Sequence, residues 1–563
     1  MKKRIFTIVL LLILLLSSCG FLGGGASTEP VSYGSIRYER PDLDAYREEV
    51  GAAVKEIGEG AGYLKTVSLL NEEFERYYNA YTMNFYASNR YSQAMNDSFF
   101  EEECLWHAEN QPVYDALHEQ VLIAAAKSKH CEKLEETFFE SPGFLADLLL
   151  HPRYTNEAYL SLEQEENRLT EEYRALLADP VIEWNGAELH IETFGEDETI
   201  SDEDYYAIFG LYYEKYNALA GEIFLKLMKV RADKAEAAGY GSYTELACAE
   251  LGRMVPYETV RAYLDSLAAA FVPLLDEISA SGIETEPYPA LSVEQTEEFF
   301  EKICEKLGEP FVSIREIMQK NGLLDIKPSV NKEEMSYTIY FPSVYTPFIF
   351  INPTETYYDL TALIHEFGHF CDMYVNYGGA ADIDLSECYS TSLELLSSLW
   401  AEGILGGREA EIYRTNALLN VVDTMINQGL YADFEANVYL TDGIDTVDEL
   451  NGVFREMLIK WGVITGEDET YASLMWFEIP HLFLYPTYVP GYCLANECAL
   501  RFLALEYETE NAGLDAYLNF LYREDQDGSL EKTVVDAGLH SPLNVGASKE
   551  SADLIRKMLG LTD

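Results

Sequence analysis

Residues 358–375 read YDLTALIHEFGHFCDMYV, and the fold turns on how that stretch is built. Leu360, Leu363, Ile364, Phe367, Cys371 and Tyr374 recur at the spacing of a helix with one apolar face. His365 and His369 lie four apart on the adjoining stripe, so on a helix both imidazoles point the same way and can reach one metal ion. Glu366 stands between them, where it can accept a proton from a water activated by that metal. With only nine His in 563 residues, this spacing is far more specific than two surface histidines beside an ordinary acid.

The flanks fit a helix. Pro353 breaks what precedes, Thr356 and Asp359 form an expected capping box, and Gly378-Gly379 is an expected end. Gly368 costs about 1 kcal/mol against Ala in a helix interior, which predicts another segment crossing closely there. A second helix follows, with Asp384 as its expected N-cap. Glu387, Ser390, Thr391 and Glu394 share one polar stripe of that helix, while Leu385, Cys388, Leu395 and Leu399 lie mostly elsewhere. A catalytic metal site needs a third protein ligand and an open position. Helix geometry allows either Glu387 or Glu394 to supply the ligand, because seven residues make nearly two turns.

Two neighbouring stretches complete the picture. Residues 337–341 (YTIYF) and 347–351 (PFIFI) are β-branched and aromatic and read as a hairpin leading into the motif helix. An open edge there can bind an extended peptide through its main chain with little demand on sequence. Further on, His481 is followed by Tyr485, Tyr488 and Tyr492, with Pro480, Pro486, Pro490 and Gly491 interrupting regular helix.

HEFGH followed by ECYSTSLE, from Glu387 to Glu394, resembles the thimet oligopeptidase and oligoendopeptidase F family of zinc metallopeptidases. Residues 231–243, RADKAEAAGYGSY, are similar to the helix and glycine turn that oligoendopeptidase F carries ahead of its catalytic core. The likeness runs from about residue 40 to the C-terminus. It implies a mainly α, zincin-like fold of two lobes, with a deep cleft and a small β-sheet beside the zinc helix. It implies one Zn2+ per chain held by His365, His369 and Glu387, with Glu394 supporting the site from behind. Glu366 is then the general base, and His481, Tyr488 and Tyr492 line the cleft and donate to the developing oxyanion. The implied reaction is hydrolysis of internal bonds in short unfolded peptides. A peptidyl-dipeptidase or carboxypeptidase on the same scaffold, or a non-catalytic peptide-binding lipoprotein, is the alternative.

The N-terminus suggests a location. Lys2, Lys3 and Arg4 precede an apolar run from Ile5 to Leu16, a length that suits a signal peptide better than a membrane span. Leu16-Ser17-Ser18-Cys19 then resembles a bacterial lipobox, which implies lipidation at Cys19. The expected organisation is a signal peptide at 1–18, a lipidated Cys and flexible tether at 19–38, an N-terminal helical lobe at 39–200 and the zinc peptidase region at 201–563. The mature chain would be extracytoplasmic, anchored to a bacterial membrane by its N-terminal lipid.

Composition narrows the partners. The chain carries 97 acids against 39 bases, a net charge of −58. Phosphate backbones demand clustered Lys and Arg, so no nucleic acid is expected as a partner. Short peptides are the expected ligands, and the sequence assigns no oligomeric state. Residues 207–238 and 260–278 are periodic and predict long helices. The acidic stretch 196–204 reads as a connection or a helix start. Eight Cys besides Cys19 are scattered with no dense framework, so buried free thiols are expected for most of them.

Overall fold

The computed structural model describes residues 30–139, 141–191, 201–379, 382–441, 443–465, 471–522 and 529–561. The signal segment, Cys19 and residues 196–200 of the acidic stretch lie outside the described residues. The remainder of that stretch opens the helix Asp202–Ala237, whose Asp204 N–H is capped by the Ser201 hydroxyl. Residues 30–38, at the end of the segment read as a tether, are docked on the protein. Val31 N–H donates to the Thr346 hydroxyl at 3.0 Å, and the Tyr33 ring lies 4.2 Å from Phe348.

The architecture is helical. Three helices joined by short connections, Leu43–Gly58, Tyr63–Gln93 and Ser98–Ala126, are the first α-helices of the described residues, and Asp42 and Asp97 cap two of them. Long helices at Asp202–Ala237, Tyr257–Ser281 and Gly407–Leu440 frame the later part. The first holds the stretch predicted at 207–238 but for its last residue, Ala238, which caps the helix, and the second contains all of 260–278. Strands β1 (Val181–Trp184) and β2 (Ala187–His190) form a hairpin around Asn185 and Gly186, with φ of +52° and +79°. Asn-Gly is the residue pair such a tight turn requires, a signal the sequence reading passed over.

A three-stranded sheet sits beneath the motif helix. Strand β3 (Leu324–Asp325) runs parallel to β5 (Thr346–Ile351), and β4 (Ser336–Phe341) pairs antiparallel with β5 from Ser336↔Ile351 to Phe341↔Thr346. The hairpin is as expected. β5 is central and buried along its whole length, and β4 is an edge strand.

The motif helix spans Tyr358–Val375 and packs on β4 and β5. Leu360, Leu363, Ile364, Phe367 and Cys371 are fully buried. Two details differ from expectation. Asp359 does not pair with Thr356 in a capping box; its carboxylate accepts from the backbone N–H groups of Thr354 and Glu355, both at 2.8 Å. The helix also ends at Val375, before the glycine pair, because Tyr377, Gly378 and Gly379 all take positive φ.

The ligand helix, Ile383–Ser398, crosses the motif helix at Gly368. A Cβ there would stand 2.6 Å from Ser390 Cα and 2.7 Å from Tyr389 O, so backbone meets backbone as the glycine predicted. Asp382, not Asp384, caps this helix, accepting from Asp384 N–H at 3.1 Å. Asp384 is buried in an ion pair with Arg253. The helix Pro490–Glu508 packs along the ligand helix on its other side. Among the described residues, all eight cysteines are free, six of them buried, and no helix is long and apolar enough to cross a membrane.

Candidate active site

Helix geometry and the glycine crossing bring three donors together. The Nε2 atoms of His365 and His369 each lie 3.4 Å from the same oxygen, Glu387 Oε2. Two imidazoles and one carboxylate, with one donor atom each within 4.8 Å of one another, form a set that fits a divalent cation of zinc's preferences. Cys371 and Cys388 are buried and stand outside this set. Glu394, two turns along the ligand helix, takes a different place. Its carboxylate lies 3.1 Å from His365 Nδ1, where it can fix the tautomer that leaves Nε2 free as a ligand. The Ser390 hydroxyl donates to Glu387 Oε2 at 3.0 Å.

Burial disfavours a charged His365, but hydrogen bonds to Glu387 and Glu394 more than offset it and raise its pKa well above the usual histidine range. Burial likewise works against a charged Glu387, yet the two imidazoles hold its pKa well below the usual carboxylate range. A cation bound between the donors would take the place of the proton that favours a charged His365.

Glu366 faces the same cavity, on the side of the sheet. Its Oε2 accepts from the Thr338 hydroxyl at 2.7 Å, and the same hydroxyl reaches the Glu366 backbone carbonyl at 2.9 Å. Thr338 belongs to edge strand β4. Asn352 N–H donates to Met335 O at 3.1 Å, which sets the phase of the β4–β5 ladder. Ser336, Thr338 and Tyr340 therefore turn their backbone N–H and C=O groups away from β5, towards the open edge. The strand that offers main-chain partners is thus fastened directly to Glu366. Sequence reasoning placed the strand and its edge but not Thr338, because a strand threonine carries no local sign of what faces it.

The tyrosine loop closes the far side. Tyr488 donates to Glu387 Oε1 at 3.4 Å, and its ring lies 5.3 Å from that of Tyr492. Both line a cavity of about 420 Å³ that also takes in His365, Glu366, His369 and Glu387. Burial, then the charge of Glu387, raises the pKa of both tyrosines, so each keeps its proton as a donor at neutral pH. His481, on the short helix Pro480–Leu484, is not among the cavity-lining residues. Its ring packs 6.2 Å from Tyr488 and 6.0 Å from Tyr492, and burial lowers its pKa, which favours the neutral form.

Comparison with known proteins agrees with this architecture. Residues 33–147 match the Peptidase M3 N-terminal domain. Oligopeptidase PepF of Bacillus subtilis (strain 168) is 25% identical over 247 residues, covering 41% of this chain and 36% of that protein. Group B oligopeptidase PepB of Streptococcus agalactiae serotype III (strain NEM316) is 29% identical over 211 residues, covering 34% and 33%. The chain therefore spans about a third of the length of the curated relatives it matches. The X-ray structure of a protein assigned as oligoendopeptidase F superposes with a TM-score of 0.74 over 95% of this chain and 99% of that one, at 22% identity, which carries the fold. In its matched N-terminal domain and in the stretches it shares with these relatives, the chain is similar to oligopeptidases of the peptidase M3 family, and its fold is that of oligoendopeptidase F.

Proposed function

We propose that this chain is a zinc-dependent endopeptidase for short unfolded peptides, held at the outer face of a bacterial membrane by a lipid on Cys19. One observation carries the catalytic part: His365 Nε2, His369 Nε2 and Glu387 Oε2 converge in a cavity where Glu366 is hydrogen-bonded to an open-edge strand. When bound, zinc supplies Lewis acidity and lowers the pKa of a water ligand to about 7. A peptide lying along β4 would pair with the outward backbone groups of Ser336 and Thr338, which presents its scissile carbonyl to the cavity without reading side chains. Glu366 would take the proton of the attacking water and return it to the leaving amine. Tyr488, protonated and close to Glu387, is placed to donate to the oxyanion as charge develops, and Tyr492 stands beside it. Glu394 keeps His365 in the ligating tautomer.

The membrane part rests on the sequence of residues 1–19 alone. The test of the whole reading is mass spectrometry of a mixed library of roughly 5–15-residue peptides incubated with the full chain in detergent, with chelator and with zinc restored. Internal cuts that vanish with chelator and return with zinc are expected. Cuts confined to the peptides' C-termini would move the chain to the dipeptidase or carboxypeptidase alternative. Zinc binding and peptide retention without cleavage would make it a binding protein.

A further inference from the structure

The stretch 231–243, singled out in the sequence, has no part in the chemistry described so far. In the fold its first residue, Arg231, is wholly buried. Its Nη1 donates to the carbonyl of Leu482 at 3.0 Å and its Nη2 to that of Phe483 at 2.6 Å. These are the two residues after His481. Arg231 Nε is held in turn by Glu166 at 2.7 Å.

A second buried guanidinium holds the other end of the same loop. Arg253 Nη1 donates to the carbonyl of Thr487, the residue before Tyr488. Its remaining donors form a two-pronged bond to Asp384, Nε to Oδ2 at 2.8 Å and Nη2 to Oδ1 at 2.7 Å. Asp384 lies one turn ahead of Glu387 on the ligand helix. The Thr487 N–H is taken by both oxygens of buried Glu435, each at 2.8 Å. Thr487 has φ +62°, a left-handed conformation a threonine rarely adopts, so these bonds hold it where its own preference would not. Gly491 fits against the pair, since a Cβ there would meet Asp384 Oδ1 at 3.2 Å.

We propose that Arg253 is a positioning residue for the peptidase reaction, setting the distance between Tyr488 and the Glu387 helix by gripping the carbonyl just before the one and the Asp384 side chain of the other. The inference rests on the proposed role of Tyr488. A guanidinium suits the task because its rigid fork serves both partners at once, which the point charge of a lysine cannot do.

The test is a double-mutant cycle in the full chain with zinc, reading kcat and KM separately per folded, metal-loaded molecule. Arg253→Lys is expected to lower kcat by about 10–100-fold, approaching the loss of a well-placed oxyanion donor, with KM within about threefold and zinc content unchanged. Tyr488→Phe tests the underlying reading by itself. If it costs activity, the double variant should be no slower than Tyr488→Phe alone, because Arg253 acts through that hydroxyl. Full additivity, or an Arg253→Lys enzyme with wild-type kcat, would overturn the positioning role while leaving the peptidase reading in place. Full activity in Tyr488→Phe would overturn both roles. Where Arg253→Lys does not fold, Glu435→Gln replaces it in the same cycle. It loosens the Thr487 N–H from the other side, with a smaller drop in kcat and the same non-additivity expected.

Discussion

Glu366 and Thr338 form the smallest unit on which the proposed chemistry depends. Replacing Glu366 with Gln keeps the size of the side chain and removes the base. We expect kcat to fall by at least about 10²-fold with zinc still bound at one per chain, read by turnover beside metal analysis. More than a few per cent residual activity would remove Glu366 from its role. Thr338→Val keeps the shape and removes the hydroxyl that grips the Glu366 carboxylate at 2.7 Å. A hydrogen bond to a charged group contributes about 1.5–3 kcal/mol, so kcat should drop about tenfold or more while KM for long peptides stays close to normal, since the strand's backbone is untouched. An unchanged kcat would mean that Glu366 is held by its helix alone. At this scale the sequence was uneven. The spacing of His365, Glu366 and His369 could be read directly, because four residues on a helix are neighbours. Glu387 and Glu394 could not be separated by geometry, since seven residues return to the same side of a helix about 10 Å further along. Their difference lies in where the motif helix crosses, and the structure places Glu387 against both Nε2 atoms and Glu394 against the Nδ1 of His365.

The crossing of the motif and ligand helices explains that difference, and Gly368 is its hinge point. Intrinsic propensity says that Gly368→Ala should stabilise a helix by about 1 kcal/mol. The crossing says the opposite, because the new methyl would stand 2.6 Å from Ser390 Cα, where only backbone could give way. Overpacking of this kind costs about 1–3 kcal/mol, so the variant should melt earlier than the parent in the metal-free state. It should also bind zinc more weakly, since pushing the helices apart carries Glu387 away from the two imidazoles. A calorimetric scan with a zinc titration checks both, and a raised melting midpoint would contradict the crossing. Elements were legible where a local pattern dictates them, as in the motif helix, the β4–β5 hairpin and the long helices. The caps were not. Asp382 and Asp384 look alike in sequence, and what separates them is Arg253, 131 positions away, which claims Asp384 and leaves the cap to Asp382.

Over the whole molecule, charge is the property the sequence states most plainly, yet it does not say which acids stay protonated. The net charge of −58 means that ionising further carboxylates adds to self-repulsion in the compact state. Two buried acids behave as extreme cases. Burial pushes Glu435 up to about 7, against the bonds from Thr487 that favour its charge. Burial, then the charge of Asp384, pushes Asp382 up to about 7. For a group whose folded pKa is raised, the stabilising contribution is fully present below the unfolded value, near 4–4.5, and is lost as pH rises through about 7. For Glu435 alone the difference is on the order of 3 kcal/mol. Glu166 runs the other way. Burial opposes its charge, but Lys234 and Arg231 hold its pKa down to about 2. Its contribution is present above about 4.5 and is lost only as pH falls towards 2, so it does not oppose the trend near neutrality. The metal-free chain should therefore melt at a higher temperature near pH 5.5 than at pH 8. Glu435→Gln should flatten that slope, because an amide carries no proton to lose. Salt gives an independent check: at pH 8, raising ionic strength from about 0.02 to 0.3 M shortens the screening length well below 10 Å and should raise the midpoint by weakening surface repulsion. It should leave the pH slope that Glu435 contributes unchanged, since that carboxyl is only 1% exposed. A midpoint that climbs from pH 5.5 to 8 at both salt concentrations would mean that the buried carboxyls are ionised at no cost, and that the loop before Tyr488 rests on charge rather than on a neutral acid.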